Sequence, residues 1–207
     1  MYRLLGFATQ NTMKTLYVLE ELGVDYEFQF VDLMKGENKK EAFLKLNPVG
    51  KTPVLQHNDD SLFESGAICR YLANVEESPL YPTNKLQRGK VDQWMDFFSC
   101  HLGRWLSALY FEKIIKGKVA MGSPSAEKCA EAESFIQQQL TIVNNWLKGR
   151  KYFTGDQLTI ADLFAFAYVE QKEAVGLSLK ECPQVQAWFN SVEKRESIQR
   201  ARKRIAQ

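Results

Sequence analysis

The hydrophobic rhythm of the chain changes once, and that change limits its fold more than any other feature. Up to about residue 80, short apolar runs of strand length alternate with helical periods; beyond "ESPLYPTN" (77–84) the pattern is almost purely helical. "YRLLGF" (2–7) has the length of a strand and ends at a polar loop, and Met13, Leu16, Tyr17 and Leu19 then recur at helical spacing before Gly23, a natural helix stop. "YEFQFVD" (26–32) alternates, so it reads as a strand, and the polar stretch 34–46 has room for a short irregular helix. "PVLQH" (53–57), the turn at Asn58-Asp59-Asp60 and "SLF" (61–63) read as a hairpin. Ile68, Tyr71, Leu72 and Val75 mark one face of a helix that opens near Ser65. The predicted order is β-α-β-α-β-β-α over residues 1–77, a linker over 78–85, and an all-helical domain over 86–207, an α/β plus all-α class.

In the second part, Trp94, Phe97, Phe98, His101, Leu102, Trp105 and Leu109 form an unbroken i, i+3, i+4, i+7 stripe. "GKVAMGSPS" (117–125) breaks that helix, and another begins at Pro124 or Ser125. "TIAD" (159–162) has the spacing of a capping box, with Leu158 and Leu163 placed as a hydrophobic staple, and the following "LFAFAYV" is apolar nearly all round, as suits a buried central helix. The last 14 residues are locally basic, and the sequence alone favours a solvated terminal helix or tail there.

A net charge of +2 over 207 residues gives no global field for nucleic acid or a membrane surface. No apolar window approaches a membrane span, and the N-terminus lacks the apolar core of a signal peptide. Four widely separated cysteines and two histidines offer no metal-type spacing, so no metal site is expected and reduced thiols in the cytoplasm are the simplest reading.

The stretch "NPVGKTPVL" (47–55) poses the functional question. A phosphate loop requires glycine five residues before Gly50 and a helix straight after Thr52, but Lys45 stands at the first position and Pro53 with a strand follows the second. A backbone clamp fits better. A cis Thr52-Pro53 bond at a strand entry turns the N–H and C=O of Thr52 out of the ladder, where an extended peptide can pair with them. The letters equally accommodate a trans proline at a strand edge. "LFESGAICRYL" (62–72) places Glu64 and Ser65 at a helix mouth, where Ser65 and first-turn amides suit a carboxylate and Glu64 suits an ammonium. Lys51 stands one residue before Thr52, placed for a second carboxylate. One ligand matches all three features: a short peptide with an amino-acid head and a carboxylate tail.

"LEELGVDYEF", "FLKLNPVGKTPVL", "LFESGAICRYL" and "GDQLTIADLFAF" stand together in the order and at the separations seen in the cytosolic glutathione transferases, and over nearly its whole length the chain resembles that family. The resemblance implies a thioredoxin-like N-terminal domain, an all-helical C-terminal domain and a homodimer. It implies no permanently bound cofactor, with glutathione as cosubstrate and a hydrophobic small-molecule electrophile as the second partner. Glutathione would lie across Thr52 and Pro53, its γ-glutamyl end at Glu64-Ser65 and its glycyl end toward Lys51. In family members the loop before the third strand also reaches the glycyl carboxylate, and Asn38 and Lys39 occupy that place here. The family's catalytic residue follows the first strand, where this chain has Thr9, with Asn11 as second candidate. The reason is that a thiol pKa near 8.5 must fall about two units for work at neutral pH, ~2.7 kcal/mol of selective stabilisation, and a hydroxyl aimed at sulfur can supply much of it. The electrophile pocket is expected between this loop and the first helix of the second domain, with His101, Arg104, Trp105 and Tyr110 as candidate lining. Three activities fit: a transferase, a glutathione-dependent disulfide or peroxide reductase, and a glutathione transferase-like binding protein without turnover.

Overall fold

The computed structural model of the protein describes residues 1–206. Its N-terminal part runs β1 (Tyr2–Gly6), α1 (Gln10–Leu22), β2 (Tyr26–Phe30), a short 3-10 turn, α2 (Glu41–Leu46), β3 (Val54–His57), β4 (Asp60–Phe63) and α3 (Ser65–Val75). The four strands order β2-β1-β3-β4, with β1 parallel to β2 and antiparallel to β3, and β3 antiparallel to β4. This is the predicted thioredoxin-like sheet. Alternation along β1 divides its side chains between the two faces. Leu5 points to the face where Val54, Val31 and Phe43 of α2 cluster. Tyr2, Leu4 and Gly6 point to the opposite face. There Gly6 meets α1: a Cβ on it would stand 2.4 Å from Cγ2 of Thr12. Glycine at the end of β1 therefore lets the first turn of α1 press against the strand.

The chain sorts into two compact units, residues 1–81 together with the chain from Lys194 onward, and Pro82–Glu193. The sequence reading carried the helical domain to residue 207 and left the basic end solvated; the structure instead docks the last helix, α10 (Glu196–Ile205), on α1. Ile198 and Ala201 are fully buried. Arg195 forks onto the Glu21 carboxylate, which also accepts from the Ser197 hydroxyl, and Arg200 donates to the Glu20 carboxylate at 2.8 Å and to its backbone carbonyl. The basic residues thus answer two adjacent acids of the first helix.

In the second unit, residues 85–118 follow one helical path: α4 (Lys85–Phe97), a π-turn at Phe98–Leu102, α5 (Gly103–Tyr110), a π-turn at Phe111–Ile115 and the short α6 (Lys116–Lys118). Then come α7 (Ala126–Trp146), α8 (Ile160–Val169) and α9 (Pro183–Glu193). Every residue of α8 is buried. Trp94, Phe98 and Trp188 surround the ring of Phe153 at centroid distances of 4.8, 5.2 and 5.0 Å. No helix among the described residues is long and apolar enough to cross a membrane.

The fully buried Asp162 locks this unit. One carboxylate oxygen accepts from the Phe153 N–H and the Trp188 indole, both at 3.0 Å; the other accepts from the backbone and hydroxyl of Thr159 at 2.9 and 3.0 Å. Burial pushes its carboxyl up to about 6 against the pull of these donors. Replacing it orphans three buried N–H groups, each worth roughly 1–3 kcal/mol. We expect Asp162→Ala to lose about 3–5 kcal/mol in urea unfolding; a loss below about 1 kcal/mol would contradict this role.

Candidate functional site

The sheet topology gathers four connecting segments at one edge. Leu5 pairs with Val54 and Val54 with Phe63, so the end of β1, the start of β3 and the end of β4 stand side by side. β2 runs parallel to β1 and ends on the same edge. Residues 7–9, 31–40, 47–53 and 64–65 therefore meet there. Among them lie Thr9, Asn38, Lys39, Lys51, Thr52, Pro53, Glu64 and Ser65, and Asn11 follows in the first turn of α1.

Thr9 is the N-cap of α1, in extended conformation, and its hydroxyl oxygen accepts from the Thr12 N–H at 3.4 Å. Its oxygen also lies 3.3 Å from the Thr12 hydroxyl. When Thr12 donates in that pair, the Thr9 proton remains for a ligand. Asn11 is spoken for on one side: its carbonyl oxygen accepts from the Lys14 ammonium at 2.7 Å.

The 47–53 loop is held by two asparagines. Asn47, buried, donates from its amide to the Lys51 carbonyl at 2.7 Å and accepts from the Val49 N–H at 3.0 Å. Asn38 donates one amide hydrogen to the Gly50 carbonyl at 2.6 Å, so the amide expected to reach a carboxylate also fixes the loop. Gly50 has φ +65°, and a Cβ on it would stand 3.2 Å from the Lys39 ammonium. Any side chain there would be strained and would displace that cation. Lys39 and Lys51 are both exposed. Thr52 and Pro53 are buried, joined by a cis peptide bond, and the β3 ladder begins only at Val54.

At the fourth corner the helix opens at Ser65, as its sequence leads one to expect, with Glu64 as the N-cap residue. Glu64 has φ 70° and ψ 110° and makes no side-chain cap bond. A non-glycine residue so placed costs roughly 1–3 kcal/mol, and such residues cluster at ligand sites. Neither α1 nor α3 carries an acidic residue in its first turn. Two helix N-termini thus face this edge with their positive ends unanswered by an acid inside the first turn, an arrangement suited to anionic groups.

Sequence reasoning missed Asn47, Gly6 and Lys14. Lys14 is only 1% exposed. Burial pulls its ammonium down to about 7, against the weaker opposing pull of the Glu64 charge. Cys69 itself donates to the Lys14 carbonyl, and burial pushes its thiol up to about 12.

The four electrophile candidates all lie in the second unit. Trp105 stacks on Phe135 of α7, with centroids 4.3 Å apart and planes 7° from parallel, so its ring is engaged in helix packing. The Arg104 guanidinium lies over that same ring at 5.1 Å. His101 is exposed in the first π-turn, its ring 5.5 Å from Phe97, and Tyr110 is half-buried at the end of α5.

Comparison with known proteins agrees with this architecture. Residues 2–74 match the family model of the glutathione S-transferase N-terminal domain, and residues 102–196 that of the C-terminal domain. The chain belongs to the cytosolic glutathione transferase family. It is 32% identical over 196 residues to a glutathione S-transferase of Hypomyces subiculosus, covering 92% of each chain. Among solved structures it is similar to glutathione S-transferase-I bound with lactoylglutathione, at a TM-score of 0.89 and 28% identity over 97% of both chains. It is also 33% identical over 159 residues to elongation factor 1-gamma of Prunus avium, where the match covers 76% of this chain and 36% of that protein.

The buried lysine makes a pH prediction. Its folded pKa lies below its ordinary value near 10.4, so between about pH 7 and 10 the unfolded chain binds more protons than the folded one. This group's contribution to stability therefore rises with pH across that window. In urea unfolding, the stability of the parent minus that of Lys14→Met should fall from pH 9 to pH 7; a constant difference would contradict a depressed lysine.

Proposed function

We propose that the protein is a glutathione transferase that joins the glutathione thiolate to hydrophobic electrophiles, using the sheet edge as its glutathione site. The observation that carries this reading is the convergence of two helix N-termini, Glu64 with its strained backbone, and the cations Lys39 and Lys51 on one edge. Strands lie about 4.8 Å apart, so the edge from β2 to β4 spans roughly 14 Å. An extended tripeptide covers about 10 Å, which fits within it. The γ-glutamyl carboxylate takes the amides at the start of α3 and the Ser65 hydroxyl, and its ammonium takes Glu64. The cysteinyl backbone pairs with Thr52 beside Pro53. The glycyl carboxylate takes Lys51 and Lys39, with Asn38 acting on the loop.

Thr9 then donates its hydroxyl proton toward sulfur, with Asn11 as a second donor, and the first turn of α1 adds its dipole. The thiol proton leaves to solvent, sulfur forms the new bond to carbon, and any leaving group departs with the electron pair. His101, Arg104 and Tyr110 contribute to electrophile binding, and Trp105 supports them by its stack on Phe135. The likeness to a structure bound with lactoylglutathione supports a glutathione-type ligand. A second reading, a glutathione transferase-like binding protein without turnover, is favoured by the likeness to elongation factor 1-gamma.

Kinetics with a chlorinated aromatic electrophile separate the two. The transferase reading expects measurable conjugation, a fall in kcat of about 10- to 100-fold in Thr9→Ala, and a rise in KM for glutathione of about 10-fold in Ser65→Ala with unfolding unchanged. Conjugation absent from the parent protein, with glutathione still retained on a column, would favour the binding protein. Full activity in Thr9→Ala would remove that hydroxyl from the mechanism.

A further inference from the structure

Lys14 has no place in the reading above, yet it is the most deeply buried lysine at the candidate site. Its ammonium donates to Asn11 at 2.7 Å, its own carbonyl accepts from the Cys69 thiol, and the charge of Glu64 acts on it. Through Asn11 and Cys69 it therefore links the first turn of α1 to α3, the two elements that supply the sulfur donors and the headgroup site.

The chemistry of the Asn11 contact has a directional consequence. An ammonium has hydrogens and no lone pair, so only the carbonyl oxygen of the Asn11 amide can face it. With the oxygen held inward, the two N–H groups of that amide are left on the opposite branch, away from Lys14. Asn11 is half-buried and stands two residues from Thr9, so its amide is not sealed from the accessible side of the turn. A cation bound to the amide oxygen also polarises the amide and strengthens its N–H groups as donors. A neutral side chain at residue 14 would release the amide to rotate and turn its oxygen, a poor neighbour for a thiolate, outward.

We infer that Lys14 in its protonated form is a positioning residue for the thiol chemistry: from beneath the site it locks Asn11 with its N–H groups toward the glutathione sulfur. The inference rests on the glutathione reading of the site and adds a buried group that never touches the ligand. It predicts a specific division of labour, in which Thr9 and Asn11 meet sulfur and Lys14 acts through Asn11.

The test measures the pKa of the enzyme-bound thiol from its ultraviolet thiolate absorption, together with kcat and KM for glutathione, in four variants. Lys14→Met should raise the bound-thiol pKa by about one unit and lower kcat about 10-fold at pH 7, with KM for glutathione changed less than 3-fold, and Lys14→Arg should restore most of kcat. Asn11→Asp keeps a partner for Lys14 but replaces the outward donor with a second carboxylate oxygen. It should fold at least as stably as the parent and lose at least 10-fold in kcat, so it carries the test even where Lys14→Met folds poorly. In the double variant Lys14→Met/Asn11→Ala the thiol pKa should be no higher than in the worse single variant, since both act on one donor. Additive pKa shifts, or an unchanged thiol pKa in Lys14→Met beside a loss of stability, would overturn the inference and leave the glutathione reading standing. Failure of the parent protein to bind glutathione in calorimetry would overturn both.

Discussion

The pairing of Leu5 with Val54 and of Val54 with Phe63 is the constraint on which the candidate site depends. A one-residue slip would exchange the faces of β1, sending Leu5 away from Phe43 and Leu4 toward it, so burial on both faces fixes the register. With the register fixed, the antiparallel return of β3 and β4 brings the end of the hairpin beside the end of β1. The helices that follow β1 and β4 then begin at the same edge. Gly6 tightens the arrangement by letting Thr12 sit against the strand. The site is thus a product of sheet topology before any of its polar residues is considered.

Electrostatics decide what such an edge can hold. Neither helix places an acid in its first turn, Lys39 and Lys51 flank the loop before β3, and Glu64 stands at the opening of α3, at a backbone conformation that costs free energy to maintain. A ligand with two carboxylates and one ammonium matches that distribution of charge. Beneath it, Lys14 holds the first turn of α1 through Asn11 and packs against α3 through the Cys69 thiol. The family assignment agrees with this arrangement.

Much of the fold was legible because its signals are local. The hairpin announced itself by two short runs on either side of the Asn58-Asp59-Asp60 turn, and Asn58 adopts a positive φ there. The capping interaction of Asp162 with Thr159 lies within one helical turn and could be read from spacing alone. What stayed hidden was set by distance or by an atypical residue. The docking of α10 depends on Arg195 and Arg200 meeting Glu21 and Glu20 from the far end of the chain, and a basic run gives no sign of its partners. Lys14 was invisible because a lysine in a helix reads as solvent-facing, although its place among the buried residues of α1 would mark it as an interruption of an apolar face. The π-turns at Phe98–Leu102 and Phe111–Ile115 were also missed, since one extra residue per turn leaves the i, i+3, i+4 stripe nearly intact. At the site, Asn38 looked like a ligand group from its position, and only the neighbouring Gly50 carbonyl reveals its structural task.

The most direct measurement is a crystal structure of the protein grown with glutathione. The account predicts the tripeptide laid along the sheet edge, with its ammonium at Glu64, its glycyl carboxylate at Lys39 and Lys51, and its sulfur within hydrogen-bonding reach of the Thr9 hydroxyl. Density for the ligand at any other place, or a bound peptide whose sulfur points away from the first turn of α1, would contradict it.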